Sequence, residues 1–184
     1  LTAEEARIPA SYFQKLVLLR QKLDKEIPSC CNIDDGVGIR FLSNNLPSCF
    51  EAFINSVYDS PARLVLSGIG KSGHIAKKIS STFSSIGCPS FFIHPSEANH
   101  GDLGMISNKE TIILISNSGE TVELFNIILH CQKLNVPIIA VTSNKYSTLA
   151  KKCTVLLEIP KNIEACPLEL APTSSTTVSL VLGD

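Results

Sequence analysis

The sequence predicts an α/β protein: a three-layer α/β/α sandwich with a five-stranded parallel sheet, preceded by N-terminal helices. Two observations support this fold class. Short apolar runs rich in β-branched residues alternate with segments of helical periodicity from about residue 60 onward. The run from Thr111 to Ile115 is continuous and almost wholly apolar, which is typical of a strand buried on both faces of a parallel sheet. Helices that alternate with parallel strands cover both faces of the sheet through right-handed crossovers.

Two helices are predicted ahead of the sheet. Residues 3–25 place apolar side chains at helical spacing beyond Pro9, and residues 46–58 do so again. The stretch 27–45 between them is interrupted by proline and glycine and predicts a loop. Because both helices precede the first strand, they must pack on the sheet or on another subunit, and the sequence leaves both arrangements open.

The strands and helices of the core follow in alternation. The predicted strands comprise residues 63–67, 90–93, 111–115, 137–141 and 154–159. The first strand is followed by a helix that ends at Gly87, a residue suited to a helix C-cap. The later helices are predicted from residue 122 to Leu134, near residues 146–151, and from Thr173 onward. We expect a single domain over residues 1–184, in which helices within residues 1–59 pack on a parallel α/β core within residues 60–184.

Composition excludes several classes of protein. The chain is 44% hydrophobic with a formal net charge of −1, so it is neither disordered nor basic enough for a nucleic-acid surface. No apolar run approaches the ~20 residues needed to span a bilayer, and the acidic N-terminus lacks the layout of a signal peptide. The seven cysteines are scattered, without C-x-x-C spacing, which favours reduced thiols over disulfides or a metal site. We expect a cytoplasmic protein with no nucleic-acid or membrane partner.

The polar stretch from Ser116 to Glu123 lies between the third predicted strand and a predicted helix. Helix N-termini leave backbone N–H groups unpaired, and the helix dipole favours negative charge there. Hydroxyl donors, together with a glycine that permits close approach, complete a candidate oxyanion site whose expected ligand is phosphate. Its residues, which we call the serine loop, are Ser116, Asn117, Ser118, Gly119, Glu120 and Thr121. The alternative is an ordinary helix N-cap followed by acidic residues.

A glycine loop follows the first predicted strand. Gly68, Gly70 and Gly73 satisfy G-x-G-x-x-G between a strand and a helix. A dinucleotide site is disfavoured because no acidic residue ends the second strand, and a Walker motif fails because Val65 occupies the place of its first glycine. Lys71 begins a helix, where the dipole disfavours a cation, so an anionic ligand shared with the helix end is favoured. The alternative is a solvated lysine beside a tight turn.

Further polar side chains lie in predicted loops near the same edge of the sheet. Three hydroxyl residues open the last predicted helix, where they either bind the anion or form an N-cap. His100 lies in a loop, where a histidine is more often a hydrogen-bonded structural residue than a ligand. The candidate substrate-binding residues outside the serine loop are Gly70, Ser72, His100, Thr173, Ser174 and Ser175. We assign no residue as a metal ligand.

Several motifs occur in order along the chain: G-I-G-K-S-G-H at 68–74, S-F-F-I-H-P at 90–95, H-G-D-L-G-M at 100–105, S-N-S-G-E at 116–120, and E-A-C-P-L through A-P-T-S-S at 164–175. Together they resemble the sugar isomerase (SIS) domain of bacterial D-arabinose 5-phosphate isomerases, over about residues 60–184. Many phosphosugar-binding domains share the serine loop. The motif at 100–105, combined with that at 164–175, is more specific to the pentose phosphate isomerases.

The resemblance implies a homotetrameric enzyme that interconverts D-ribulose 5-phosphate and D-arabinose 5-phosphate through an enediol, feeding 3-deoxy-D-manno-octulosonate and lipopolysaccharide biosynthesis. By position, it assigns the family's catalytic lysine to Lys71 and its two catalytic glutamates to Glu123 and Glu164, rather than to Glu120. It implies no cofactor. The family's further catalytic histidine, in a Ser-His-Pro-Gly-Gly segment beyond the equivalent of Asp184, and the paired CBS domains of many members are not expected within this chain.

An aldose–ketose isomerase needs a general base matched to neutral pH and donors that stabilise an enediolate oxygen. Glu164 is the predicted carbon base, because its weakly polar loop is expected to enclose it and burial raises the pKa of a carboxyl. Lys71 and Glu123 are predicted to assist the other proton transfers. Glu123, expected one turn into its helix, also fits a surface glutamate that complements the dipole. Two other functions stay open: a non-catalytic sugar-phosphate-binding regulatory module, and an isomerase of another phosphosugar.

Overall fold

A computed structural model describes residues 47–58, 60, 62–161, 164 and 171–184 of the chain. The helix expected over residues 3–25 and the loop expected over residues 27–45 lie outside the described residues. The second expected helix is confirmed as α1, Pro47–Tyr58.

Helices and strands alternate along the chain as the sequence predicts. After α1 come β1 (Leu64–Ser67), α2 (Gly70–Ser85), β2 (Ser90–Ile93), α3 (Pro95–Ala98), β3 (Thr111–Ile115), α4 (Phe125–Leu134), β4 (Ile138–Thr142), α5 (Thr148–Lys152), β5 (Val155–Glu158) and α6 (Ser174–Gly183). Short 3₁₀ turns cover Asp102–Met105 and Val122–Leu124. The helix α2 ends at Ser85 with Ile86 as its C-cap, and Gly87, the predicted C-cap, follows next with a positive φ of 87°.

The five strands form one parallel sheet in the order β2-β1-β3-β4-β5, which confirms the predicted sheet. β1 pairs with both β2 and β3, so that Leu66 is paired with Phe92 on one side and with Ile113 on the other. The strand order therefore reverses at β1, because β2 is added to one side of it and all later strands to the other. In such sheets ligands bind at the carboxyl ends of the strands beside this reversal, here β1 and β3.

Side chains of the sheet alternate between two apolar clusters, one on each face. Ile113 and Ile115 of β3 pack in the cluster covered by α1, α2 and α6, whereas Ile112 and Leu114 pack in the cluster covered by α4 and α5. Every residue of β3 is buried, as expected of a strand covered on both faces. The two helical layers confirm the three-layer sandwich.

The helix α1 packs on the sheet. Its residues Phe53 and Val57 share an apolar cluster with Val155 and Leu157 of β5. Of the two arrangements that the sequence leaves open, packing on the sheet is therefore the one adopted by this helix.

Two local features differ from the prediction. The helix after β3 begins at Phe125 rather than at residue 122, because a 3₁₀ turn precedes it, in which Leu124 N donates to Thr121 O over 3.1 Å. The short helix α3 is absent from the prediction. Its start is nevertheless marked in the sequence, since Pro95 lies in its first turn and His94 Nδ1 accepts a hydrogen bond from the backbone N–H two residues later.

Two expectations from composition can be compared with the described residues. No helix within them is long and apolar enough to cross a membrane. Among their cysteines, Cys88, Cys131 and Cys153 are free thiols, as expected of reduced side chains.

Candidate functional site

Three loops meet at the carboxyl ends of β1, β3 and β4. The glycine loop follows β1, the serine loop follows β3, and residues 143–147 join β4 to α5. A Cβ on Gly68 would lie 3.0 Å from Ile115 O, so the glycine loop contacts the end of β3 directly. The predicted binding groups of the glycine and serine loops are therefore brought to one edge, at the point where the strand order reverses.

The serine loop is closed by its own hydroxyl groups. Ser116 Oγ accepts a hydrogen bond from Gly119 N (3.0 Å) and lies 2.7 Å from Thr121 Oγ1. Ser116 is buried, whereas Asn117 and Ser118 are exposed. Ser116 therefore shapes the loop, and a ligand can reach the exposed residues Asn117, Ser118 and Glu120 from solvent.

The segment after β4 holds the serine loop from its other side. Asn117 O accepts hydrogen bonds from Thr142 Oγ1 (3.0 Å), Ser143 N (3.1 Å) and Ser143 Oγ (2.9 Å). Leu149 N donates to Gly119 O over 3.1 Å. These supporting residues are not among those predicted from the sequence. A usable signal is present in the sequence, because hydroxyl side chains end the buried strand β4 at Thr142 and follow it at Ser143.

The start of α2 is open to an anion. Ile69, which precedes the helix, provides no side-chain cap, and Lys71 in the first turn is exposed. Gly70 has φ 58°, and a Cβ built on it would meet nothing within 4 Å. Gly73 packs closely on the strand end, since its Cβ would lie 2.7 Å from Gly68 O. Unpaired N–H groups of a helix start beside a lysine favour a bound anion.

Glu164 binds the first turn of α6. Its Oε2 accepts hydrogen bonds from Thr173 N (2.6 Å), Thr173 Oγ1 (3.1 Å) and Ser175 N (3.3 Å). The expectation that burial raises the pKa of Glu164 is wrong. Burial acts in that direction, but the hydrogen bonds from Ser175 and Thr173 outweigh it and lower the pKa of the carboxyl below its ordinary value. Glu164 is therefore ionised at neutral pH and caps α6.

The other predicted catalytic groups are exposed. Glu123 lies in the 3₁₀ turn before α4 and not one turn into the helix, which corrects the expectation for its position. Lys71 and His100 are exposed as well. In the described ranges, no ion pair joins Lys71 to Glu123 or Glu164, and no group of three or more His, Cys, Asp or Glu side chains could hold a metal. A helix start beside a lysine can bind a phosphorylated ligand.

Known proteins resemble this chain over most of its length. Residues 56–184 match the family model described as the SIS domain. The chain is 52% identical over 143 residues to the uncharacterised protein RP505 of Rickettsia prowazekii, which covers 78% of this chain and 44% of that protein. It is 47% identical over 146 residues to the arabinose 5-phosphate isomerase KdsD of Francisella tularensis, which covers 78% of this chain and 45% of the relative. The chain thus spans less than half the length of these relatives.

A solved structure is similar over a larger share of both chains. The structure of the E. coli CFT073 protein c3406 in complex with arabinose 5-phosphate superposes with a TM-score of 0.78 and 37% sequence identity. The superposition covers 93% of this chain and 87% of that one.

Proposed function

Because this chain belongs to the SIS domain family, we propose that it is the isomerase domain of a D-arabinose 5-phosphate isomerase. In this proposal it interconverts D-ribulose 5-phosphate and D-arabinose 5-phosphate through an enediol. The observation that most supports this proposal is the arrangement at the carboxyl edge of the sheet. There the start of α2, which carries Lys71 and has no side-chain cap, adjoins the serine loop. Among its relatives is an arabinose 5-phosphate isomerase, and the similar solved structure is a complex with arabinose 5-phosphate.

The phosphate is the proposed anchor of the substrate. Asn117 and Ser118 are exposed uncharged residues of the serine loop, and the start of α2 provides further backbone N–H groups at the adjoining end of β1. Gly70 permits close approach because a Cβ there would meet open space. The other groups proposed to bind the phosphosugar are Ser72, His100, Ser116, Gly119, Thr121, Thr173, Ser174 and Ser175.

Glu164 is the proposed base that moves the proton between the two carbons. Its ionised carboxylate can accept a proton at neutral pH, but the hydrogen bonds that lower its pKa also weaken it as a base. A negatively charged enediolate beside it raises the pKa again, because like charges disfavour ionisation. Lys71 and Glu123 are the proposed donors and acceptors for the hydroxyl protons. No cofactor takes part in this scheme.

The whole protein's setting is part of the proposal. We propose a cytoplasmic homotetramer whose product feeds 3-deoxy-D-manno-octulosonate and lipopolysaccharide biosynthesis, with no nucleic-acid or membrane partner. The family resemblance supports this setting.

The test is an NMR assay of ribulose 5-phosphate incubated with the protein in deuterated buffer. We expect resonances of arabinose 5-phosphate to appear together with deuterium at the carbon that exchanges its hydrogen. Hexulose and heptulose phosphates run in parallel decide the length of the sugar. Binding of arabinose 5-phosphate without conversion or deuterium uptake would contradict the proposal and favour a regulatory sugar-phosphate-binding module.

A further inference from the structure

We propose that Glu120 is a positioning residue: it attaches the serine loop to the start of α5 and thereby keeps the loop's phosphate-binding groups in place, without touching the substrate itself. This inference deepens the proposed function and rests on it for the identity of the ligand. It gives Glu120 a different task from the ligand contact that its place in the loop predicts.

The carboxylate of Glu120 binds a helix start in a different loop. Glu120 Oε1 accepts a hydrogen bond from Thr148 N over 2.8 Å, and Thr148 is the first residue of α5. The first N–H groups of a helix have no partner within the helix. Ser147 Oγ satisfies one of them by accepting from Ala150 N (3.2 Å), and Glu120 satisfies another from outside. The α5 start is thus capped by two side chains, one of which belongs to the serine loop.

A second hydrogen bond runs beside the first. Gly119 O accepts from Leu149 N over 3.1 Å, so two consecutive residues of the serine loop bind two consecutive residues of α5. Gly119 N in turn donates to Ser116 Oγ over 3.0 Å. The attachment at Glu120 therefore continues through Gly119 to the hydroxyl pair of Ser116 and Thr121 that closes the loop.

Charge supports the same assignment. A carboxylate beside a phosphate dianion is repulsive unless other groups compensate its charge. Hydrogen bonds from Thr148 and the nearby positive charge of Lys151 lower the pKa of Glu120. The negative charge of this carboxylate is therefore stabilised by groups of α5. The exposed Ser118 and Asn117 are left as the loop residues open to the anion.

The test compares Glu120→Ala with Glu120→Gln in the full chain. Alanine removes the acceptor, whereas glutamine keeps an acceptor oxygen and removes the charge. For Glu120→Ala we expect the Kd values of arabinose 5-phosphate and inorganic phosphate to rise roughly threefold to tenfold, and KM to rise with little change in kcat. Glu120→Gln should stay within about twofold of wild type, since a neutral acceptor still forms the bond. Glu51→Gln, an exposed glutamate on α1, is the control for loss of charge.

Amide hydrogen exchange gives a readout that needs no ligand. Exchange at Gly119 N should be faster in Glu120→Ala and unchanged in Glu120→Gln. If both variants bind phosphate more tightly than wild type, and equally so, the carboxylate repels the ligand directly and the inference is wrong. If Glu120→Ala binds phosphate and exchanges the Gly119 amide as wild type does, the inference is also overturned. A wild-type chain that binds neither ligand would overturn the proposed function. In that case the exchange rate at Gly119 still decides whether Glu120 holds the loop.

Discussion

Replacing Glu164 separates two tasks of one carboxylate. The side chain caps α6 through hydrogen bonds from Thr173 and Ser175, and it is the proposed carbon base. Glu164→Gln keeps an oxygen that can accept the N–H of Thr173 but cannot take a proton from the sugar. Glu164→Ala removes both the cap and the base. The two variants should therefore differ in stability and agree in catalysis.

The magnitudes follow from the contacts. Loss of a helix cap costs about 1 kcal/mol, so Glu164→Ala should lower the free energy of unfolding by about that amount, and Glu164→Gln by less. Loss of a general base typically costs ~10²–10⁴ in rate with little effect on ground-state binding. Both variants should bind arabinose 5-phosphate while losing exchange of the substrate's C1 or C2 hydrogen with solvent.

The assay measures deuterium uptake by ribulose 5-phosphate alongside denaturant unfolding of each variant. Glu123→Gln is the variant for comparison, because Glu123 is the other proposed catalytic glutamate and is exposed. If Glu164→Gln exchanges at the wild-type rate while Glu123→Gln does not exchange, the assignment of the base is reversed. If Glu164→Ala is as stable as wild type, the cap is not a stabilising contact.

The pKa of Glu164 also predicts a pH dependence. Burial raises its folded pKa, but the hydrogen bonds from Ser175 and Thr173 outweigh this effect and hold the pKa below the ordinary value. A carboxyl with a depressed pKa stabilises the folded state fully above its unfolded pKa of about 4.3, and this contribution is lost as pH falls through the folded pKa. Glu164→Gln should therefore be less sensitive to acid than wild type in this range. A parallel fall in stability of both proteins would contradict the cap.

Two further variants test the phosphate anchor and the opposite end of the sheet. Ser118→Ala should weaken binding of arabinose 5-phosphate and leave stability within about 1 kcal/mol, as judged by calorimetry and thermal unfolding. Equal wild-type affinity for arabinose and arabinose 5-phosphate would refute phosphate as the anchor. Glu110 is buried and accepts from Ser107 N (2.6 Å) and Arg63 (3.0 Å), so Glu110→Ala should cost about 1–3 kcal/mol in unfolding free energy without changing phosphosugar affinity. A changed affinity would show that the two ends of the sheet are coupled.

Much of the fold could be predicted because the burial of a strand or helix determines which residue types occur along it. The residues of β3 are apolar almost throughout since both faces are covered, and Gly87 marks the end of α2 because it adopts a positive φ. The start of α4 could not be placed in the same way. Thr121 is a typical N-cap residue, but its hydroxyl pairs with Ser116, and a 3₁₀ turn separates it from the helix.

The candidate site was predictable in its location and not in its hydrogen bonds. Polar residues after a buried strand identify the serine loop, because parallel strands end at one edge of the sheet. The hydroxyl side chains of Thr142 and Ser143 indicate polar groups at the end of β4, but their bonds to Asn117 join residues far apart in sequence, so the local pattern does not identify their partner. The pKa direction of Glu164 was predicted wrongly for the same reason, since its donor Thr173 lies nine residues later in the sequence.

Two glycines at the same edge of the sheet test how tightly the serine loop is held. Gly119 (φ 68°) and Gly70 (φ 58°) both adopt left-handed conformations, which cost an alanine roughly 1–2 kcal/mol. A Cβ on Gly119 would also lie 2.5 Å from Ser147 Cβ and 2.9 Å from Thr142 Oγ1, whereas one on Gly70 meets nothing within 4 Å. Overpacking of this kind adds about 1–3 kcal/mol. Gly119→Ala should therefore destabilise the protein clearly more than Gly70→Ala in denaturant unfolding.

The cause of the larger cost of Gly119→Ala can be tested with Ser147→Gly. This substitution removes the Cβ and hydroxyl of Ser147 that the new methyl group at Gly119 would meet. In that background Gly119→Ala should retain the conformational cost and the close contact with Thr142 Oγ1, and the coupling free energy between the two substitutions should equal the part of the overpacking that Ser147 causes. Equal costs for Gly119→Ala and Gly70→Ala in the wild-type background would mean that the serine loop moves away from α5 at little expense. In that case the hydrogen bonds of Gly119 and Glu120 to α5 would not hold the loop, and its phosphate-binding geometry would have to be fixed from within, by Ser116 and Thr121.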